Sequence, residues 1–209
     1  MKKVIVVGAG GFGREAYYTI QAINKVEPQY EVIGFLDDNP RALEGKNIDY
    51  PILGSVNDWQ PTDDEVYVMG IAAPSTKEKV AKILVGKGAR FVTLIQPTAI
   101  VCDDAIIGEG CVITGFSIVG ALTRIGNFVH IACSMVGQDA EIGDYSTTTG
   151  YANITNAHLG KRVFVGSHAV VLNGRKVGDD AYICAGSVVF NHIKAGVKVM
   201  GYPAKRFEL

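Results

Sequence analysis

Several things are scarce in this chain of 209 residues, and each absence narrows its role. Only four cysteines occur, Cys102, Cys111, Cys133 and Cys184, and none has a metal-ligand partner at a recognisable spacing. They read as small packed residues of a reduced, cytoplasmic protein, and no metal is expected. Charge of one sign is also lacking. Twenty Lys and Arg against 21 Asp and Glu leave a net charge of −1, so there is no electrostatic case for nucleic acid or an anionic membrane. No apolar run approaches the length of a transmembrane helix. Met1-Lys2-Lys3 precedes only four apolar residues, Val4 to Val7, which is too short for the apolar core of a signal peptide. What is present is an apolar share of 48%, enough for a well-buried core, in a chain long enough for one large or two small domains.

From Ile95 to Val189 the sequence repeats a hexad. Its markers are Ile95, Val101, Ile107, Ile113, Val119, Ile125, Ile131, Val136, Ile142, Thr148, Ile154, Leu159, Val165, Val171, Val177, Ile183 and Val189. Sixteen of the seventeen are aliphatic, and fourteen of the sixteen steps are six residues long; Ile131→Val136 and Ile154→Leu159 are five. A period of six is neither the 3.6 of a helix nor the 2 of a strand. It marks a parallel β-helix, in which three short faces close a triangular coil and each marker points inward. Seventeen hexads make between five and six coils, and the open ends of such a stack need caps. Glycines just after a marker, such as Gly108, Gly126, Gly143, Gly160, Gly166 and Gly178, are expected to bend the chain at the corners. Phe190–Val199 breaks the hexad and is expected to cap the stack.

Residues 1–94 alternate strand and helix patterns, the signature of a small parallel sheet with helices on its faces. Lys3–Val7, Glu31–Leu36, Val66–Ile71 and Phe91–Ile95 read as strands, and Arg14–Ile23 as a helix. A second helix starts near Ser75, which with Glu78 fits a capping box, and runs to about Gly88. Gly8-Ala9-Gly10-Gly11-Phe12-Gly13 fits G-x-G-x-x-G between the first strand and its helix, the context in which backbone amides hold a pyrophosphate. Asp37-Asp38 closes the second strand, placed to bind ribose or base groups. The alternative to ligand binding is a glycine turn needed only for packing, with the aspartates a solvated turn before Asn39-Pro40.

The order of the two halves, with GAGGFGRE, FLDD, the hexads and the closing Gly201-Tyr202-Pro203-Ala204-Lys205, resembles the bacterial nucleotide-sugar acetyltransferases of the hexapeptide-repeat family along essentially the whole chain. These include the sialic acid O-acetyltransferase-like proteins and the amino-sugar N-acetyltransferases. The resemblance implies an α/β, Rossmann-like unit over residues 1–94 and a left-handed parallel β-helix over 95–209. It implies a homotrimer with acetyl-CoA as acyl donor and a nucleotide-linked sugar, UDP- first, as acceptor, in surface-glycan synthesis. It assigns the nucleotide to Gly8, Gly10, Gly11, Phe12, Gly13, Asp37 and Asp38, and the sugar to Ser75 and Lys77. The family often carries His where this chain has Phe12. Coenzyme A would meet Thr147, Asn156, Ser167, Ala185 and Lys205.

The resemblance also exposes a chemical gap. Acetyl transfer needs a general base on the acceptor, a task suited to histidine beside a carboxylate. Gln138 stands at the family's histidine position and Asp139 supplies the carboxylate. A glutamine amide accepts no proton at physiological pH. A second family histidine, near the acetyl carbonyl, is matched by Thr147, which can donate a hydrogen bond but is no base at neutral pH. Three readings follow: an impaired relative that binds both ligands without turnover, a variant inactivated by one substitution, or an enzyme with another base. His130, His158 and His168 are the candidates for that base, with His192 further away near the last coil. Loss of the base is better tolerated for an amine acceptor than for a hydroxyl, which favours N-acetylation. A dinucleotide oxidoreductase and a β-helical scaffold are the other classes open to this sequence.

Overall fold

The structure is a computed structural model and describes residues 1–207. The first part is a four-stranded, wholly parallel sheet. Its strands β1 (Lys2–Val7), β2 (Tyr30–Leu36), β3 (Ile52–Gly54) and β4 (Glu65–Met69) lie in the order β3-β2-β1-β4. β1 is buried on both faces, as a central parallel strand must be. Val4 and Val6 pack with Ala16, Ile20 and Ile23 of helix α1 (Gly11–Val26), while Ile5 and Val7 pack with Ala81 and Leu84 of helix α2 (Pro74–Gly86). Strand alternation thus sends one apolar row to each helix.

Two expectations are corrected here. The fourth strand of this sheet is β3, which the sequence pattern misses, while Phe91–Ile95, read as the strand that feeds the coils, does lead into them. Phe91 makes only an isolated bridge to Tyr67, and Leu94–Ile95 already belongs to the next part of the chain. β3 escapes pattern reading because three half-buried residues carry no period. Helix α2 starts earlier than expected, with Ala73 as its N-cap and Pro74 at N1, and no side chain caps it. Ser75 is therefore inside the helix. The other end is as expected: Gly88 (φ +96°) reverses the chain, with Gly88 N–H bonded to Val85 O and Ala89 N–H to Leu84 O, a Schellman closure.

Residues from Leu94 onward form a triangular prism of parallel coils. One face carries Leu94–Ile95, Val112–Ile113, His130–Ile131, Thr147–Thr148, Phe164–Val165, Tyr182–Ile183, Lys198–Met200 and Lys205–Arg206; the other two carry six and five strands. The markers fill the interior as one continuous apolar cluster. Thr148, the one non-aliphatic marker, is buried and its Oγ1 donates to Ser134 Oγ at 3.0 Å. Both five-residue steps drop a corner residue and keep the register: Met135 and Val136 pair with Ile118 and Val119, and His158 and Leu159 with Glu141 and Ile142.

The corners work differently from the sequence reading. The bend lies three residues after the marker, where φ is positive at residues such as Phe128 (+56°), Tyr145 (+62°) and Arg162 (+56°). The glycine just after the marker is needed for coil-to-coil approach instead. A Cβ on Gly166 would stand 2.4 Å from Ala185 N, and one on Gly126 2.6 Å from Asp144 Oδ1. The stack ends with Ile193 bridging Val177, Lys198–Met200 joining the first face, and Lys205–Arg206 reversing antiparallel on it, so Phe190–Val199 extends the coil before the chain turns to close that edge.

The α/β unit is seated on the first face. Leu94 and Val112 share its α1-side core, and Phe91 meets Phe128 edge-on at 5.1 Å, with Phe128 stacked on Tyr145 at 5.4 Å. Arg162 ties Asp180 (2.7 Å) to Glu78 of α2 (3.5 Å).

Candidate functional site at the seam of the α/β unit and the prism

The glycine loop divides its labour residue by residue. Gly8 has φ +92°, and a Cβ on Gly13 would fall 1.8 Å from Gly8 O, so these two let the helix start hard against β1. Gly10 and Gly11 face open space and line a cavity of about 420 Å³. Gly8, Phe12, Leu36, Asp37, Asp38, Val56, residues 70–73, Thr76 and Val80 complete its wall. The first turn of α1 has no acidic residue, so its amides and the helix dipole present an uncompensated positive end to this cavity. Asp37 lines the cavity while also bracing the fold: one oxygen accepts from Ala9 N–H at 2.8 Å and the other from Asn39 N–H at 2.9 Å. Asp38 has a single long contact, from Val56 N–H at 3.4 Å, and is the less engaged of the two carboxylates.

A second cavity, of about 450 Å³, lies where α1 overhangs the first prism face. Phe12 lines both cavities and forms the partition between them. Ser167 and Ala185 line the second, together with Glu15, Cys133, Thr149, Phe164 and Tyr182, which sequence reasoning did not single out. Burial raises the Glu15 carboxyl pKa, with a bond to Thr114 acting the other way. Phe164 and Tyr182 stack at 4.7 Å on neighbouring coils, giving this groove a flat aromatic floor. Their spacing of 18 residues, one coil, was the signal that could have found them.

The residues taken as sugar-facing are distributed otherwise. Ser75 is exposed and lines neither cavity, whereas its neighbour Thr76 lines the first. Lys77 is fully buried at the seam. Its Nζ donates to Ser146 O at 2.9 Å and to Thr147 Oγ1 at 2.7 Å, and Thr147 in turn donates to Ala72 O at 2.7 Å. Burial pushes the Lys77 ammonium well below the lysine range, the nearby Cys111 opposing slightly. Thr147 is likewise fully buried rather than open to a cofactor.

Gln138 and Asp139 are exposed on a different corner of the prism. Asp139 (φ +55°) lines a third groove of about 460 Å³ with Asn156, Glu141 and His158, whose Nδ1 lies 3.0 Å from Glu141 Oε2. The base position and the glycine-loop cavity are therefore not brought together within one chain. Lys205 is exposed beside Met200 on the terminal strand pair and lines none of these three cavities. His168 is exposed against Tyr151, and His192 Nδ1 accepts from Lys176 N–H at 2.9 Å. Among the described residues no cluster of His, Cys, Asp or Glu is arranged to hold a metal ion. No described helix is long and apolar enough to cross a membrane.

Comparison with known proteins bears on this geometry. The PglD N-terminal domain matches residues 3–84, and the bacterial transferase hexapeptide repeat matches 156–191. A GDP-perosamine N-acetyltransferase of Escherichia coli O157:H7 is 30% identical, over 97% of this chain and 95% of that protein. This chain belongs to the hexapeptide-repeat nucleotide-sugar acetyltransferases. The family fold, an α/β unit followed by a left-handed β-helix, recurs in solved structures. The acetyltransferase domain of PglB from Neisseria gonorrhoeae FA1090, in complex with acetyl coenzyme A, superimposes with a TM-score of 0.87 at 24% identity, covering 99% of both chains. PerB from Caulobacter crescentus, in complex with CoA and GDP-perosamine, gives 0.82 at 22%, covering 99% of this chain and 97% of that one. At these identities they attest the acetyltransferase fold.

Proposed function

We propose that this protein transfers an acetyl group from acetyl-CoA to the amine of a nucleotide-linked amino sugar, in bacterial surface-glycan synthesis. The observation that carries the reading is the pair of cavities meeting at Phe12, one walled by the amides of a glycine loop and the other by a prism groove. The pyrophosphate rests on Gly10, Gly11 and the first turn of α1. Asp38 accepts from ribose or from the base imino group. Guanine ranks before uracil because the relative matched along its whole length acts on a GDP-sugar. The sugar extends past Phe12 toward the prism. The pantetheine of acetyl-CoA follows Ser167 and Ala185, and Lys205 meets a coenzyme phosphate. Gln138, Asp139 and Asn156 come from a neighbouring copy in a homotrimer, since one chain does not place them at the cavity.

The acceptor amine, arriving deprotonated, attacks the thioester carbonyl. The C–N bond forms, the C–S bond breaks, and coenzyme A leaves as thiol. Positioning of the two substrates supplies much of the rate. The test is thiol release from acetyl-CoA with a panel of GDP- and UDP-linked amino sugars, beside calorimetry of each ligand. Turnover with an amino sugar and none with its hydroxyl analogue supports the reading. The absence of an imidazole at Gln138 favours one second reading, a binder without turnover. Tight binding of both ligands with no thiol release would establish that one instead.

A further inference from the structure

His130 is the one histidine of the four that is buried. It is 1% exposed, and neither ring nitrogen makes a well-formed hydrogen bond among the described residues, the Met69 main chain offering only a weak contact. Such a group calls for an occupant that meets its nitrogens in another state of the protein. Its neighbours are named readily. Phe12 of α1 lies over the ring, stacked at 5.6 Å and 13°. Lys77 of α2 acts on it electrostatically, and the Met69 main chain of β4 faces it. Val112 and Thr147 flank it on adjacent coils. The histidine thus sits directly behind the partition that separates the two cavities.

We propose that Phe12 is a movable cover and that His130, once uncovered, is the general base for the acceptor amine. The assignment rests on the acetyltransferase reading above. When the sugar displaces Phe12, the two cavities join and the imidazole faces the point where amine and thioester meet. As the amine nitrogen bonds to the carbonyl carbon, one of its protons passes to a ring nitrogen of His130. The C–S bond then breaks, and the imidazolium returns that proton to the departing thiolate. The balance is one amine and one thioester to one amide and one thiol. Burial and the neighbouring Lys77 keep the covered ring neutral and weaken it as a base, so it takes up the proton only once displacement of Phe12 relieves that burial. This arrangement leaves Gln138 no proton to carry.

The test is His130→Gln in the full chain, assayed by thiol release with the amino sugar that wild-type protein turns over best. We expect kcat to fall by about 10²-fold or more while the calorimetric Kd for the nucleotide sugar is unchanged. The acid limb of kcat/KM against pH should steepen from a slope of about one to about two in wild type and stay near one in the variant, since only wild type has a second group to deprotonate. Gln138→His should gain less than about tenfold, because a base is already present. A His130→Gln enzyme within about threefold of wild type, or a gain of about 10²-fold from Gln138→His, overturns the assignment. A further measurement needs no His130 variant. Carbethoxylation of His130 by diethyl pyrocarbonate, followed by peptide mass spectrometry, should be slow in wild type and severalfold faster in Phe12→Ala. Equal rates overturn the cover. Wild-type protein that binds both ligands without releasing thiol overturns the acetyltransferase reading itself, an outcome distinct from an active wild type with an equally active His130→Gln.

Discussion

Ser75, Thr76 and Lys77 show how far one residue of helix register carries. The sequence places a helix here, but a start at Pro74 rather than Ser75 sends Ser75 to solvent, Thr76 to the cavity and Lys77 into the seam. Proline at N1 was the legible signal for that start; the capping-box pattern competed with it and lost. The corner glycines carry the same lesson. Their spacing was legible, but whether a glycine bends the chain or admits a neighbour depends on the coil 18 residues on. Gly166→Ala should cost about 1–3 kcal/mol, read from the denaturant midpoint, because the new methyl meets Ala185 backbone. An unchanged midpoint would show that the coils can part at no expense. His130 makes a second prediction. Its folded pKa lies well below the ordinary 6.5, so the unfolded chain binds the proton more readily. The stability this contributes is full above about pH 6.5 and is lost as pH falls below it. Thermal unfolding of wild type and His130→Leu should diverge in favour of the variant as pH drops from about 7 to about 5.

At the scale of elements, α2 and the first prism face are joined by a polar contact inside an apolar seam. Thr147 there donates to Ala72 O and accepts from Lys77. Thr147→Val leaves the buried ammonium with Ser146 O as its one acceptor and Ala72 O without this donor, and should destabilise by about 1–3 kcal/mol. Lys77→Met keeps the volume and removes a group whose charge burial already disfavours, at the expense of one donor to Ser146 O, so it should cost less than Thr147→Val. Equal losses in both variants, measured by urea unfolding, would contradict this account of the seam. The match of Thr147 to a histidine position was visible in the sequence. Its burial was not, because no local pattern reports that another unit covers a strand. β3 was missed for a related reason: three residues carry too little periodicity to stand out.

At the scale of the molecule, the hexads were readable because every coil repeats the same inward marker and burial of that marker decides the fold. The strand–glycine–helix order of the first unit was equally readable. The meeting of the two halves was not, since Phe12 against His130 and Lys77 against Thr147 are long-range contacts, the second between residues 70 apart in sequence. Gln138 and Asp139 lie on a corner away from the glycine-loop cavity, and the proposed function takes them from a neighbouring copy. Light scattering coupled to size-exclusion chromatography should therefore give the mass of three chains, and a monomer at assay concentration would contradict the shared site. The central claim is acetyl transfer to a nucleotide-linked amine by a protein with glutamine at the usual base position. It is tested most directly by a single turnover of wild-type protein, in excess over a GDP-linked amino sugar with acetyl-CoA present, followed by mass spectrometry of the sugar nucleotide. The account predicts full conversion of the amine to its acetamide. Recovery of the unmodified amine, with both ligands shown to be bound, would contradict it.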